Sequence, residues 1–102
     1  MATQGIRKIN MPATLATEIR EYAWRNRQSI SQVVRDVLLA AEEDIGTFMD
    51  YPDDIHGNTR SLTVYVPSEI WDKVRREAFL SGQSMSALIR QGLRATIEAE
   101  AA

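Results

Sequence analysis

The chain repeats itself. Displaced by 55 residues it lies over itself without a gap: Pro12 on Pro67, Arg20 on Arg75, Ala23 on Ala78, Gln28-Ser29-Ile30-Ser31 on Gln83-Ser84-Met85-Ser86, Arg35 on Arg90 and Leu38 on Leu93. Between these identities apolar residues coincide, as at Ile9/Val64, Met11/Val66, Leu15/Ile70, Ile19/Val74, Val33/Leu88 and Val34/Ile89. Such a repeat constrains the fold before any single residue does. Each copy is roughly 40 residues, about the size below which a domain seldom encloses enough core to stand alone. The two copies are therefore expected to complete each other.

The second copy carries the clearer pattern. Ser61-Leu62-Thr63-Val64-Tyr65-Val66 alternates polar and apolar residues and is rich in β-branched and aromatic types, the pattern of a half-buried strand. Leu62, Val64 and Val66 face one way, and Ser61, Thr63 and Tyr65 the other. Pro67 ends the strand, and Ser68 is placed to cap a helix whose first turn holds Glu69 and Asp72. Ile70, Val74 and Ala78 mark its inner face, with Trp71 and Phe79 expected in the core or at its rim. Gly82 suits the left-handed position after that helix. Ser84 opens a second helix with Met85, Leu88, Ile89, Leu93 and Ile97 on one stripe.

The first copy follows the same plan: a strand near 6–11, a helix over 13–26, a turn, and a helix over 30–43. Ser29 and Gln32 form a capping-box pattern, and Trp24 is expected in the core or at its rim, like Phe79. Two departures stand out. Arg7 takes the third inward strand position, with Ile6 on the outward side. Arg27 stands where the second copy has Gly82, so a preserved turn requires a left-handed arginine at a cost of about 1 kcal/mol.

Residues 1–43 and 60–99 thus read as two motifs joined by an acidic linker over 44–59. Residues 1–41 hold six basic groups against three acidic, and residues 55–97 again six against three, whereas 42–54 hold six acids and no base. The net charge of −2 therefore hides two basic copies, and partner arguments follow the local charge. The linker is long for a connection inside a compact domain. Its Phe48, Met49 and Tyr51 favour docking over free coil. The absence of cysteine excludes disulfides and thiolate metal sites. The longest apolar run, Val37 to Ala41, is far short of a membrane span, and the first ten residues lack the apolar stretch of a signal peptide. A soluble, cytoplasmic protein with no membrane association is expected.

The order strand, proline, helix, Gly-x-Ser turn, helix resembles the ribbon-helix-helix family of DNA-binding proteins, the Arc/MetJ/CopG type. The residues that carry the resemblance are Leu62-x-Val64-x-Val66-Pro67, Ile70, Val74, Gly82-Gln83-Ser84-x-Ser86 and Leu88-Ile89-Arg90. In the first copy they are Ile9-x-Met11-Pro12, Leu15, Ile19, Ser29-x-Ser31 and Val33-Val34-Arg35. The resemblance covers about four-fifths of the chain and implies a mainly α fold with a short two-stranded antiparallel β-ribbon. That fold would be a tandem ribbon-helix-helix forming an intramolecular pseudo-dimer, although pairing between chains as a homo-oligomer stays open. A two-stranded ribbon fits the major groove of B-DNA.

On that reading the outward strand residues are the candidate base readers: Lys8, Asn10, Thr63 and Tyr65, with Ile6 and Ser61 at the far end. Lysine can donate to guanine, asparagine pairs bidentately with adenine, and threonine bonds a base edge or touches a thymine methyl. Arg7 and Arg60 flank the strands as candidate phosphate clamps. The resemblance places backbone phosphate anchors at Ser29-Ile30-Ser31 and Ser84-Met85-Ser86, where first-turn N–H groups are free to hold an anion. Arg35 and Arg90 are expected to pair with acids or to cover the core with their stems.

The expected function is sequence-specific binding of double-stranded DNA, acting in transcriptional repression. The alternatives are an antitoxin or other partner-binding module that also autoregulates, with the linker as its protein-binding surface, and an accessory role in plasmid partition or DNA transfer. The few residues after Ile97 weigh against the toxin-binding tail of an antitoxin. No catalytic constellation appears, no cofactor or metal site is expected, and the single histidine, His56, reads as a linker residue.

Overall fold

The computed structural model describes residues 4–48, 50, 51, 53 and 57–101; His56 and Met49 lie outside the described residues. Strand β1 (Gln4–Pro12) leads into helices α1 (Ala13–Arg25) and α2 (Ile30–Glu43) and a 3-10 turn over Ile45–Phe48. Strand β2 (Thr59–Pro67) then leads into α3 (Ser68–Leu80) and α4 (Met85–Ala101). The strands pair antiparallel, with Lys8 opposite Thr63 at the centre, Gln4 opposite Pro67 and Pro12 opposite Thr59. Residues 8 and 63 are equivalent under the 55-residue shift, so equivalent residues face each other at the middle of the sheet and lie at opposite ends elsewhere.

The expected fold class needs correction. The architecture is mixed α/β, four helices with a two-stranded antiparallel sheet, α1 and α2 lying between the strands and α3 and α4 after them. It is not the mainly α, tandem ribbon-helix-helix arrangement that the resemblance implied. The physical reasons lie in the sheet and the linker. Gly5, Thr59 and Arg60 fall outside the alternating segments, yet the antiparallel register gives each a partner, and the strands reach nine residues each. The linker contributes to the core: Phe48 is buried in it, and Ile45 and Tyr51 pack against it. Thr59, at the linker's edge, already belongs to β2.

Inner-face alternation holds the sheet to the helices. Ile9 and Met11 from β1 and Leu62, Val64 and Val66 from β2 are buried, and Lys8, Asn10, Ser61, Thr63 and Tyr65 between and beside them are exposed. The helices interlock across the halves, α1 against α4 and α3 against α2, with α2 and α4 crossing at the centre. The stripe Val33, Val34, Val37, Leu38 of α2 and its equivalents Leu88, Ile89, Gly92, Leu93 of α4 are all buried there. At the crossing the equivalent residues Val37 and Gly92 meet, and a Cβ built on Gly92 would stand 2.2 Å from Val37 Cγ1. One half supplies a knob, the other the space for it.

The turns repeat closely. The Gln28 amide donates to Ala23 O at 2.9 Å, and its equivalent Gln83 donates to Ala78 O at 2.9 Å. Arg27 takes the left-handed conformation the repeat required, φ 54°, against 72° at Gly82. Ser29 and Gln32 close a reciprocal capping box, and Ser84 Oγ accepts from the Ala87 amide at 3.1 Å. Ser68 does not cap α3: it lies inside the helix, and Pro67 precedes it with no side-chain cap. Pro12 occupies the same place before α1. Trp24 and Phe79 also depart from expectation. They sit at equivalent positions one residue beyond the last buried alanine of α1 and α3, off the inner stripe, and are 82% and 81% exposed. Trp71 does lie at the rim of the core.

Candidate nucleic-acid interface

The outer face of the sheet carries three cross-strand pairs: Ile6 with Tyr65, Lys8 with Thr63, and Asn10 with Ser61. All six side chains are exposed. Strand alternation puts them there because the intervening residues belong to the core. With neighbouring strands about 4.8 Å apart, the face is a narrow ribbon of donors and acceptors, with a tyrosine and an isoleucine at one end.

Both second helices open beside this ribbon. The Tyr65 amide donates to Ser31 Oγ at 2.9 Å, which fixes the first turn of α2 at the Ile6/Tyr65 end. Arg90, in the second turn of α4, donates from Nη1 to the Asn10 carbonyl at 2.8 Å and fixes that helix at the Asn10/Ser61 end. The caps leave the N–H groups of Ile30, Ser31, Met85 and Ser86 in the first turns, where the helix ladder offers no acceptor. These helix ends carry partial positive charge. Ser31 Oγ accepts from the strand, and its own O–H remains a donor beside the backbone N–H groups that α2 presents to an anion.

The two flanking arginines are placed differently from the base-reading candidates. Arg7 lies on the inner side of β1; its guanidinium covers the Trp71 ring at 4.8 Å, and Nη1 donates to the Ile6 carbonyl at 3.1 Å. It takes the place of an apolar residue by stacking, which explains how a basic side chain is accommodated at a core-facing position. Arg60, opposite Met11, is exposed and lines a shallow cleft with Thr14, Thr17, Glu18 and Glu21 of α1. Its surroundings are the acids of α1, not the outer face of the sheet.

Sequence reasoning did not find how the linker is held. Arg90 and Gln91 are the two buried polar side chains among the described residues, 8% and 7% exposed, and both reach the linker. Arg90 donates from Nε to Asp53 Oδ1 at 2.5 Å and from Nη2 to Oδ2 at 3.1 Å. Gln91 Nε2 donates to the Tyr51 carbonyl at 2.8 Å, and Gln83 Nε2 donates to Gln91 Oε1. Arg90 does pair with an acid, as its place beside the buried stripe implied. The identity of that acid had no sequence signal, because the linker has no period.

Among the described residues no group of three or more histidine, cysteine, aspartate or glutamate side chains is arranged to hold a metal ion. Among the same residues no helix is long and apolar enough to cross a membrane. Comparison with known proteins gave no matching family model, no matching curated protein and no matching solved structure.

Proposed function

We propose that the protein binds duplex DNA by laying the outer face of its two-stranded sheet in the major groove, and that it represses transcription by occupying its site. The observation that carries this reading is the six-residue exposed face bracketed by the N-termini of α2 and α4. The major groove, about 12 Å wide, admits a two-stranded ribbon. Lys8 and Thr63 would address the central bases and Asn10 an adenine towards one end, while phosphates on either side would meet the first turns at Ser29-Ile30-Ser31 and Ser84-Met85-Ser86. The sequence resemblance to a DNA-binding family points the same way. Because the residues equivalent under the repeat differ, Lys8 against Thr63 and Asn10 against Tyr65, the recognised site is asymmetric.

The test is site selection from a randomised duplex pool, followed by titration of the selected site. Lys8→Ala and Asn10→Ala are each expected to weaken specific binding by about 1–3 kcal/mol while leaving the fold intact. Binding should weaken steeply with added salt despite the acidic overall composition. Unchanged specific affinity in both variants sinks the proposal.

A second reading, a module that also binds a protein partner, is favoured by the exposed Trp24, Phe79 and Leu80 rather than by the linker. Phe48 is buried and Tyr51 is packed against the core. Co-purification of a partner that is lost on Trp24→Ser/Phe79→Ser would support this reading.

A further inference from the structure

We propose that Asp53, acting through Arg90, is a positioning residue that fixes the main chain at Asn10 and so sets the base preference at that end of the sheet. The inference rests on the DNA-binding reading above and deepens it. Arg90 distributes its guanidinium between two partners: Nε and Nη2 hold both oxygens of Asp53, and Nη1 holds the Asn10 carbonyl. The Asn10 side chain lies on the exposed outer face while its carbonyl is tied from below. Fixing that carbonyl fixes the direction in which the side chain leaves the strand. A bidentate asparagine–adenine contact depends on that direction, because both hydrogen bonds must be aligned together.

The carboxylate determines where the arginine fork points. A planar guanidinium held at two nitrogens by one carboxylate has its remaining nitrogen aimed in a fixed direction. The linker is itself held two residues earlier, where Gln91 bonds the Tyr51 carbonyl. The other end of the sheet is held differently: the Tyr65 amide bonds Ser31 Oγ, a contact that uses no linker residue. Disturbing Asp53 should therefore act at one end only.

Asp53→Asn keeps the shape of the side chain and removes its charge. Site selection with the full-length variant is expected to show base preference relaxed roughly tenfold at the Asn10 end, with the Tyr65 end unchanged. The Asn10 end is identified as the one whose preference shifts in Asn10→Ala. Asp53→Glu, which retains the carboxylate, is expected to restore part of the preference. In the DNA-free protein, amide exchange at Asn10 and Met11 should accelerate in Asp53→Asn more than at Thr63 to Val66. This comparison also serves if the variant folds poorly, because Asp53→Glu can be read against wild type in the same way. If wild type selects no sequence, the DNA-binding reading falls and this proposal falls with it. If wild type selects a site and Asp53→Asn selects the same site with equal preference at both ends, only the positioning role is overturned. Equal relaxation at both ends likewise overturns it, since that is what general loosening of the fold would give.

Discussion

The two halves of the molecule follow one plan and hold the sheet by different chemistry. In the first, a short neutral contact, Ser31 Oγ to the Tyr65 amide, joins α2 to the strand. In the second, a buried arginine bridges α4, the strand and the linker. The difference extends to the helices that cross at the centre, where Val37 of α2 meets Gly92 of α4. It extends to the surface too. Glu18 of α1 pairs with Arg94 of α4, and its equivalent Lys73 of α3 pairs with Glu42 of α2, the same connection with the charges reversed. A strictly duplicated chain would place two like residues together at the central crossing and would repeat one and the same contact at the other points. Divergence has made the contacts complementary, which lets the halves prefer each other.

The sharpest way to break this complementarity is at the crossing. Gly92→Ala gives α4 a side chain where α2 already has one, and valine in a helix is confined at χ1 and cannot swing away. Overpacking of this kind costs about 1–3 kcal/mol, and the 2.2 Å approach puts the expected loss at the upper end of that range. Urea unfolding would measure it. Val37→Ala in the Gly92→Ala background should recover part of the loss, although Val37→Ala alone destabilises by leaving a cavity. Simple addition of the two losses would show that the helices do not meet as described.

Next in size is the buried bridge. Arg90→Met removes a charge that is 8% exposed and leaves the Asp53 carboxylate with more access to water than the arginine had. The expected loss is about 1–3 kcal/mol, below that for a fully buried pair, because Asp53 retains solvent. Arg35→Met at the equivalent position of α2, where the side chain is only partly buried, should cost less. Equal losses would remove the distinction between the halves.

Much of this arrangement was legible in the sequence, and the reason is local. The period of two at Leu62, Val64 and Val66 and the helical spacing of Val33, Val34, Val37 and Leu38 each state which side is buried, and the structure buries those sides. The turn, the capping box and the left-handed Arg27 follow from residue chemistry within five positions. What could not be read depends on residues far apart in the chain. Gly92 is one such residue: what it must leave room for, Val37 of the other half, lies 55 positions away. Asp53 looked like one acid of many until Arg90 reached it. Trp24 and Phe79 stand outside the core and rim expected of large apolar side chains, because their angle on the helix, next to rather than on the stripe ending at Ala23 and Ala78, turns them outward. The outer-face residues could be enumerated from alternation alone; that α2 and α4 open at its two ends needed the tertiary contacts.

The turn between the helices offers a smaller comparison. Arg27→Gly would make the first turn like the second. The left-handed conformation costs a non-glycine residue about 1 kcal/mol, offset in part by the greater freedom glycine gains when unfolded. A net stabilisation of about 0.5 kcal/mol is expected in urea unfolding. Gly82→Arg should lower stability by a similar amount.

The smallest expected effect concerns the ends of the second helices. α2 stops at Glu43, whereas α4 continues to Ala101, and the added turn brings Glu100 to the end of α1. There Arg25 pairs with it and the Asn26 amide donates to Oε2 at 3.1 Å. The Arg25 guanidinium first, and the Asn26 amide with it, hold the Glu100 carboxyl below the ordinary glutamate range. Because the folded value lies below the unfolded one, the contribution to stability is present above the unfolded value and is lost as the pH falls through the folded value. Glu100→Gln should therefore leave stability almost unchanged in acid and lower it slightly at neutral pH, flattening the acid limb of a pH series of thermal unfolding. High salt should reduce the difference between variant and wild type, as for any exposed pair. The equivalent of Glu100 is Ile45, which packs against the core in the 3-10 turn, so the first half closes the same position with apolar contact. Ile45→Ala should lower stability by an amount that neither pH nor salt alters. A pH-dependent loss at Ile45, or a pH-independent one at Glu100, would mean that the two ends are closed by the same force after all.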